Sequence, residues 1–191
     1  VLHGQGTSRP ASELIDAVKR EGVTAIGDYD RADGCWVLHN PTDGAGRKDS
    51  NVTDLRHVLV ECDDMPAEQQ RAIIEELRLP CAAVVDAGNK SIHAIVRVDA
   101  GNDATLYAER VERLYSVLEA RGYTVDRACR NPGRLSRLPG VWRGDRRQWL
   151  IGTNTGCASW GEWLDHLEGV KRKQHDIGAL AVLDVVANDD S

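Results

Sequence analysis

The part of the sequence that most restricts the fold is the run His-Val-Leu-Val-Glu-Cys-Asp at residues 57–63. Side chains along a β-strand point alternately to the two faces of a sheet. A strand here would place Glu61 and Asp63 on one face and the apolar side chains between them on the other. Two neighbouring carboxylates repel each other unless a cation lies between them, so the pattern favours a divalent metal site. A solvated strand face without a ligand is the alternative.

A second pattern predicts a β-hairpin. Residues 82–87 and 91–98 are typical of strands, and the Gly-Asn pair between them suits a tight turn because both residues tolerate positive φ. Alternation in the second strand places Ser91 and His93 opposite its apolar face. Together with Lys90 they offer donors suited to the oxygens of a phosphate chain. A structural role for His93 within the strand is the alternative.

A third pattern is Val125-Asp126 followed by a basic segment. Seven arginines occur between residues 127 and 147 against one acidic residue, Asp145, although the chain has a formal net charge of -6. The Pro and Gly residues within 131–140 do not extend a helix, so we expect a loop that presents guanidinium groups to phosphates. A solvated surface loop remains the alternative.

Composition excludes several classes of protein. The 191 residues are 41% hydrophobic and 28% charged, which suits a globular domain with one sizeable core. Five widely spaced cysteines without a Cys-x-x-Cys pair argue against a disulfide framework and a zinc ribbon. The sequence has no apolar run of membrane-spanning length and no secretory signal pattern, so we expect a cytoplasmic protein with no membrane partner.

Helical patterns alternate with the strands and predict the order β-α-β-β-α-β. Such an order suits an RRM-like antiparallel sheet with helices on one face and an open second face. Further predicted elements are a helix at 12–20, extended stretches at 23–26 and 35–39, a polar loop at 41–51, helices after Pro66 and at 103–121, a strand at 148–151 and a helix capped by Ser159.

The three motifs and their order resemble the active site of the archaeo-eukaryotic primase (AEP) superfamily, and most closely its phage and plasmid primase-polymerase branch. The matching segments are 59–63, 88–93 and 125–126, and residues 131–140 resemble the Arg-rich segment that follows the third motif. The resemblance extends from about Trp36 to Arg143. Glu61 stands where many members have Asp.

The resemblance implies an α+β fold, with an RRM-like antiparallel-sheet AEP catalytic core, helices on one face and a small N-terminal α/β extension. We expect a catalytic domain over residues 1–170, divided into an N-terminal part (1–52), a core (53–152) and a packing helix (153–170). The resemblance also implies a fused or associated replicative helicase. Residues 171–191 are therefore expected to be a linker or docking helix toward a further domain.

The implied activity is that of a DNA primase and DNA polymerase, a nucleotidyltransferase that makes and extends primers on single-stranded DNA from NTP or dNTP in phage or plasmid replication. Glu61, Asp63 and Asp126 would hold Mg²⁺ or Mn²⁺ and, with His93, form the catalytic set. The implied nucleotide-binding residues are Lys90, Ser91, His93, Arg134 and Arg137. The implied nucleic-acid-binding residues are Arg127, Arg130, Arg143, Arg146, Arg147, Trp142, Arg47 and Lys48.

Two other function classes fit a sheet of this kind. A non-catalytic RRM-like nucleic-acid-binding module would carry aromatic residues on its central strands, where this chain has Leu59, Glu61 and Asp63. A metal-dependent replication-initiator nuclease would require a His-x-His motif or a Tyr nucleophile near the carboxylates. The sequence has no His-x-His, and Tyr107 and Tyr115 fall on a predicted helix.

Overall fold

The structure is a computed structural model that describes residues 9–172. The strands are β1 (Trp36–Leu38), β2 (His57–Val60), β3 (Cys81–Asp86), β4 (Ile92–Arg97), β5 (Leu135–Arg137), β6 (Trp142–Arg143), β7 (Arg146–Arg147) and β8 (Trp149–Thr155). The helices are α1 (Ala11–Glu21), α2 (Ala67–Glu76), α3 (Ala104–Glu119) and α4 (160–172). Short 3₁₀ turns occupy Gly22–Ile26, Asp49–Asn51 and Arg127–Arg130.

The main sheet has four antiparallel strands in the order β2-β4-β3-β8. The predicted hairpin forms its centre, and the Asp86 carboxylate accepts the Gly88 N–H at 2.7 Å in the turn. Gly88 has a φ of 73°, the left-handed conformation that favours glycine. Two small sheets, β1-β5 and β6-β7, complete the α+β fold.

Alternation along β4 separates two hydrophobic clusters. Its even-numbered residues pack into the main core with apolar side chains of α2, α3 and α4. Ile95 faces the other way, where it packs with Leu59 and Cys129. The expectation of an open second face was wrong, because the turn carrying Cys129 and strand β5 lie over it. Ser91 and His93 are consequently buried.

One predicted strand is shorter than expected, and another is absent. Strand β2 ends at Val60, so Glu61 and Asp63 lie in the turn toward α2. The strand stops because the Gln70 side-chain amide takes the carbonyl oxygens of the next residues, which turns the backbone away from the sheet. The segment before Asp126 is irregular and contacts the end of β2 through one backbone bond, from Asp126 N–H to the Glu61 carbonyl at 3.0 Å.

Two details of the N-terminal part differ from the predictions. Helix α1 begins at Ala11, with Pro10 at the N-cap position and no side-chain hydrogen bond capping it, so Ser12 lies inside the helix and does not cap it. The stretch Gly22–Ile26, expected to be extended over its last four residues, is a 3₁₀ turn.

Helix α4 closes the described part of the chain. Ser159 Oγ accepts the Glu162 N–H at 3.2 Å, as a capping residue does, and Trp160 and Trp163 pack into the main core. Within residues 9–172, no helix has both the length and the apolar character that crossing a bilayer requires. The expected linker or docking helix at 171–191 lies outside the described residues from 173 onward.

Candidate active site

The Glu61 carboxylate is the centre of a hydrogen-bonded cluster. Ser91 Oγ donates to Glu61 Oε1 at 3.1 Å, and His93 Nε2 lies 3.2 Å from the same oxygen. Cys129 Sγ lies 3.4 Å from Oε2. The turn after β2, the β3–β4 hairpin and the Arg127–Arg130 turn therefore meet at this side chain, which is only 16% exposed.

The surroundings of Glu61 keep it ionised. The hydrogen bond from His93 is the largest influence, and it lowers the pKa of Glu61 to about 2. Burial opposes this shift, whereas the hydrogen bonds from Cys129 and Ser91 reinforce it. Glu61 is therefore an anion at neutral pH, held in a partly desolvated position.

Strand β5 fixes the orientation of His93, whose side chain is 5% exposed. Its Nδ1 atom lies 3.1 Å from Ser136 Oγ and accepts the Arg137 backbone N–H at 3.3 Å. Because a backbone amide only donates, Nδ1 is the acceptor and Nε2 carries the hydrogen directed at Glu61. No sequence pattern indicates this role for Ser136, which is 1% exposed.

Asp126 brings a second carboxylate to the cluster. Its Oδ1 accepts the Ala128 N–H at 2.9 Å and so caps the 3₁₀ turn, which leaves Oδ2 directed at the site. This oxygen lies 3.3 Å from Cys129 Sγ and 3.7 Å from Arg134 Nη2. Burial raises the pKa of Cys129 far above its usual range, so the thiol stays protonated between the two carboxylates.

Ligand atoms of Glu61, Asp126 and Cys129 all lie within 4.8 Å of one another. The two carboxylates are the donor type that Mg²⁺ and Mn²⁺ prefer, whereas a protonated thiol is a poor ligand for either ion. The oxygens of Glu61 and Asp126 therefore fit such an ion, with Cys129 as their neighbour. Asp63 is exposed and does not belong to this compact group.

A cleft of about 400 Å³ opens beside Glu61, within the size range of small-molecule sites. Arg47, Arg134 and Arg137 contribute positive charge to its lining. The Arg137 guanidinium lies 4.1 Å from the centre of the Trp36 ring, and its Nη1 donates to the Asp33 carbonyl at 2.7 Å. Burial, with nearby Arg143, lowers the pKa of Arg137 to about 10, so it remains a cation at neutral pH. The cleft thus combines an anionic end with cationic sides.

The structure distributes the other predicted residues unevenly. Arg127 lies over α3, where Glu112 and Glu119 each hold it in a salt bridge at 3.0 Å. Arg143 and Arg146 reach the β3–β4 turn through hydrogen bonds of 3.3 Å to the carbonyls of Ala87 and Asn89. Arg127 and Arg146 are exposed, as are Lys48, Lys90, Arg130 and Trp142, and Arg47 is exposed at the rim of the cleft.

Three buried side-chain amides that sequence reasoning missed hold the surrounding segments together. Asn40 Nδ2 donates to the His57 and Pro132 carbonyls at 2.8 and 3.0 Å, and its Oδ1 accepts the His57 N–H at 2.9 Å. Gln148 Nε2 donates to the Cys35 and Leu138 carbonyls. Both amides join β1, or the residues flanking it, to chain segments that are distant in sequence.

Gln70 is the third amide and is fully buried on α2. Its Nε2 donates to the Cys62 and Met65 carbonyls at 2.9 and 2.6 Å, and its Oε1 accepts the Ile92 N–H at 2.9 Å. It therefore joins the turn after Glu61 to the start of β4. A signal was available in the sequence, because Gln70 occupies an apolar position on the helical stripe continued by residues 73, 74 and 77.

The chain matches no protein-family model and no curated protein sequence. Among solved structures it is similar to the AEP domain of the cyanophage S-2L primase-polymerase (PrimPol), with 19% identity, a TM-score of 0.52, and coverage of 82% of this chain and 76% of that one. It is also similar to the primase RepB′, with 22% identity, a TM-score of 0.40, and coverage of 67% and 46%. The first likeness shows the fold, which is that of an AEP domain.

Proposed function

We propose that the protein is a metal-dependent nucleotidyltransferase that makes primers and extends them on single-stranded DNA in phage or plasmid replication. The observation that carries the proposal is the meeting of Glu61, Asp126 and the Ser91/His93 pair beside a cleft lined by arginines. The likeness in fold to a primase-polymerase domain supports it.

Glu61 and Asp126 would hold Mg²⁺ or Mn²⁺. Asp63 lies outside their compact group, and its place in the metal site rests on the family resemblance alone. When bound, such an ion lowers the pKa of an attacking hydroxyl and neutralises phosphate charge. Glu61 is already ionised, so it binds a cation without first releasing a proton. The single S–H of Cys129 lies within reach of Glu61 and Asp126, at 3.4 and 3.3 Å, and donates to one of these carboxylates at a time.

The cleft would bind the triphosphate of an NTP or dNTP. Phosphoryl transfer depends mainly on positioning and charge stabilisation, which arginines at the side of a carboxylate site supply. Arg134 and Arg137, which line the cleft, would contact the phosphates, with the exposed Lys90 on the hairpin side. Ser91 is buried and would act by donating to Glu61, instead of binding phosphate as the sequence predicted. His93 would position Glu61 rather than bind phosphate, because its Nε2 hydrogen is directed at that carboxylate.

The DNA template would follow the positive surface outside the cleft. Arg127 is left out of this assignment because two glutamates neutralise it. The residues assigned to the template are Arg47, Lys48, Arg130, Arg143, Arg146, Arg147 and Trp142. A fused or associated replicative helicase and a cytoplasmic location belong to the proposal as implications of the family resemblance.

The test is synthesis on an unprimed single-stranded template with labelled nucleotides and Mn²⁺ or Mg²⁺. We expect product from the wild type and none from Asp126→Asn, in which the amide oxygen still caps the 3₁₀ turn but the charge at the site is lost. Asp103→Asn is the matched control, because Asp103 caps α3 by the same kind of bond. Synthesis by Asp126→Asn at the wild-type rate would refute the assignment, and template shortening by the wild type would favour the nuclease.

A further inference from the structure

Two tryptophans and two arginines alternate along the surface, and none of them lines the cleft. The Arg31 guanidinium lies 4.8 Å from the centre of the Trp142 ring. Trp142 pairs with Arg147 across the β6-β7 hairpin, and the Arg147 guanidinium lies 4.6 Å from the centre of the Trp149 ring. We call these four residues the Arg-Trp ladder.

Hydrogen bonds to the backbone hold the ladder in place. Arg31 Nε donates to the Gly144 carbonyl and Arg147 Nε to the Gly140 carbonyl, each at 3.1 Å. The rings nevertheless face water, with Trp142 42% and Trp149 54% exposed. Large aromatic side chains grouped at the surface beside cations are a feature of ligand-binding surfaces.

The ladder also carries positive charge that the protein does not neutralise. Within residues 9–172, neither Arg31 nor Arg147 forms a salt bridge, and the same holds for the adjacent Arg143 and Arg146. Arg127, in contrast, is paired with two glutamates. An uncompensated cationic row on a chain of net charge -6 indicates an anionic partner.

We propose that the Arg-Trp ladder is a platform on which unpaired bases of single-stranded DNA stack while the adjacent arginines contact its phosphates. Aromatic rings stack on any base, and cations beside them follow the backbone, so such a platform binds without sequence preference. Tryptophan and arginine are also enriched in protein interfaces, so a protein partner is an outcome that the experiment below distinguishes from DNA.

The platform is joined to the candidate active site through the hairpin that carries it. Arg143 and Arg146 donate to the carbonyls of Ala87 and Asn89 in the β3–β4 turn, which leads directly into Ser91. The hairpin that carries the ladder therefore contacts the turn that leads to Ser91 and His93. The inference rests on the proposed function for its choice of partner, but binding at the ladder requires neither metal nor nucleotide.

The experiment is a titration of the full chain with a fluorescently labelled oligodeoxynucleotide of about 20 nucleotides, in chelator and without nucleotide. We expect Trp149→Ala to weaken binding by about tenfold, since one stacked base is lost, and Trp149→Phe to keep most of the affinity. Arg147→Ala should weaken binding and reduce its salt dependence. The matched control is Arg71→Ala, which removes an exposed, salt-bridged arginine from α2.

Three results would overturn the inference. They are wild-type affinity in Trp149→Ala, equal affinity for a duplex of the same sequence, and a change in self-association of Trp149→Ala without a change in DNA affinity. Failure of the proposed function can be distinguished from failure of this inference. If the wild type makes no product but Trp149→Ala weakens DNA binding, the proposed function is refuted and the platform is supported. If the wild type makes product and Trp149→Ala binds DNA as tightly as the wild type, only the platform is refuted.

Discussion

Replacing Gln70 with Leu should strongly destabilise the protein. The substitution keeps the size of the side chain but leaves the Cys62 and Met65 carbonyls and the Ile92 N–H without their partner in a fully buried position. Each of these three unpartnered buried groups costs about 2 kcal/mol, and the added apolar burial returns about 2 kcal/mol. The free energy of unfolding therefore falls by about 4 kcal/mol. That is a large part of the ~5–15 kcal/mol typical of a domain.

Urea denaturation followed by tryptophan fluorescence measures this loss, with Gln69→Leu as the control. Gln69 is the preceding residue on the same helix and is exposed, so its replacement should change stability by less than about 0.5 kcal/mol. Amide hydrogen exchange at Ile92 should accelerate in the Gln70 variant alone. Equal stability of the two variants would show that the amide does not hold the turn after Glu61 to β4.

Two further predictions concern ionisation and backbone geometry. The pKa of Glu61 is about 2 in the folded protein against a usual 4.5. The ionised carboxylate therefore stabilises the fold fully above the unfolded pKa, and this stabilisation is lost as pH falls through the folded pKa. In chelator, the free energy of unfolding of the wild type should fall by about 2 kcal/mol more than that of Glu61→Gln between about pH 6 and about pH 3. Parallel stability curves would refute the shift, and Glu109→Gln serves as the exposed control. Gly156→Ala should lower the free energy of unfolding several-fold more than Gly122→Ala. Both glycines have positive φ, but of the two only Gly156 would place a Cβ against backbone oxygens. Equal losses of stability for the two variants in thermal denaturation would contradict this prediction.

The hairpin and the helices could be predicted because their signals are local. Alternation in β4 and the Gly-Asn turn specify β3 and β4 within a residue or two, and the apolar stripe of α3 specifies its buried face. The end of β2 at Val60 could not be predicted from alternation, since the residues after it are held by hydrogen bonds from the side chain of Gln70 on α2. Local pattern contains no information about such a partner.

The candidate site shows the same division. Sequence order alone singled out Glu61, Ser91, His93 and Asp126, and the structure brings these four together. It could not show that β5 would cover His93, because Ser136 is an ordinary loop residue in sequence and becomes important only when β5 pairs with β1. The burial of Ser136 depends on this pairing and has no local pattern, unlike that of Gln70 on its apolar helical stripe.

The five free cysteines provide a built-in reporter of local opening. All of them are buried, so a thiol reagent added to the native protein reacts only when the segment around a cysteine opens. Cys129 lies between the two carboxylates, whereas Cys62, Cys81 and Cys157 belong to the main core. The modification rate of Cys129 relative to the core thiols therefore measures how often the site segment separates from the sheet, independently of any catalytic assay.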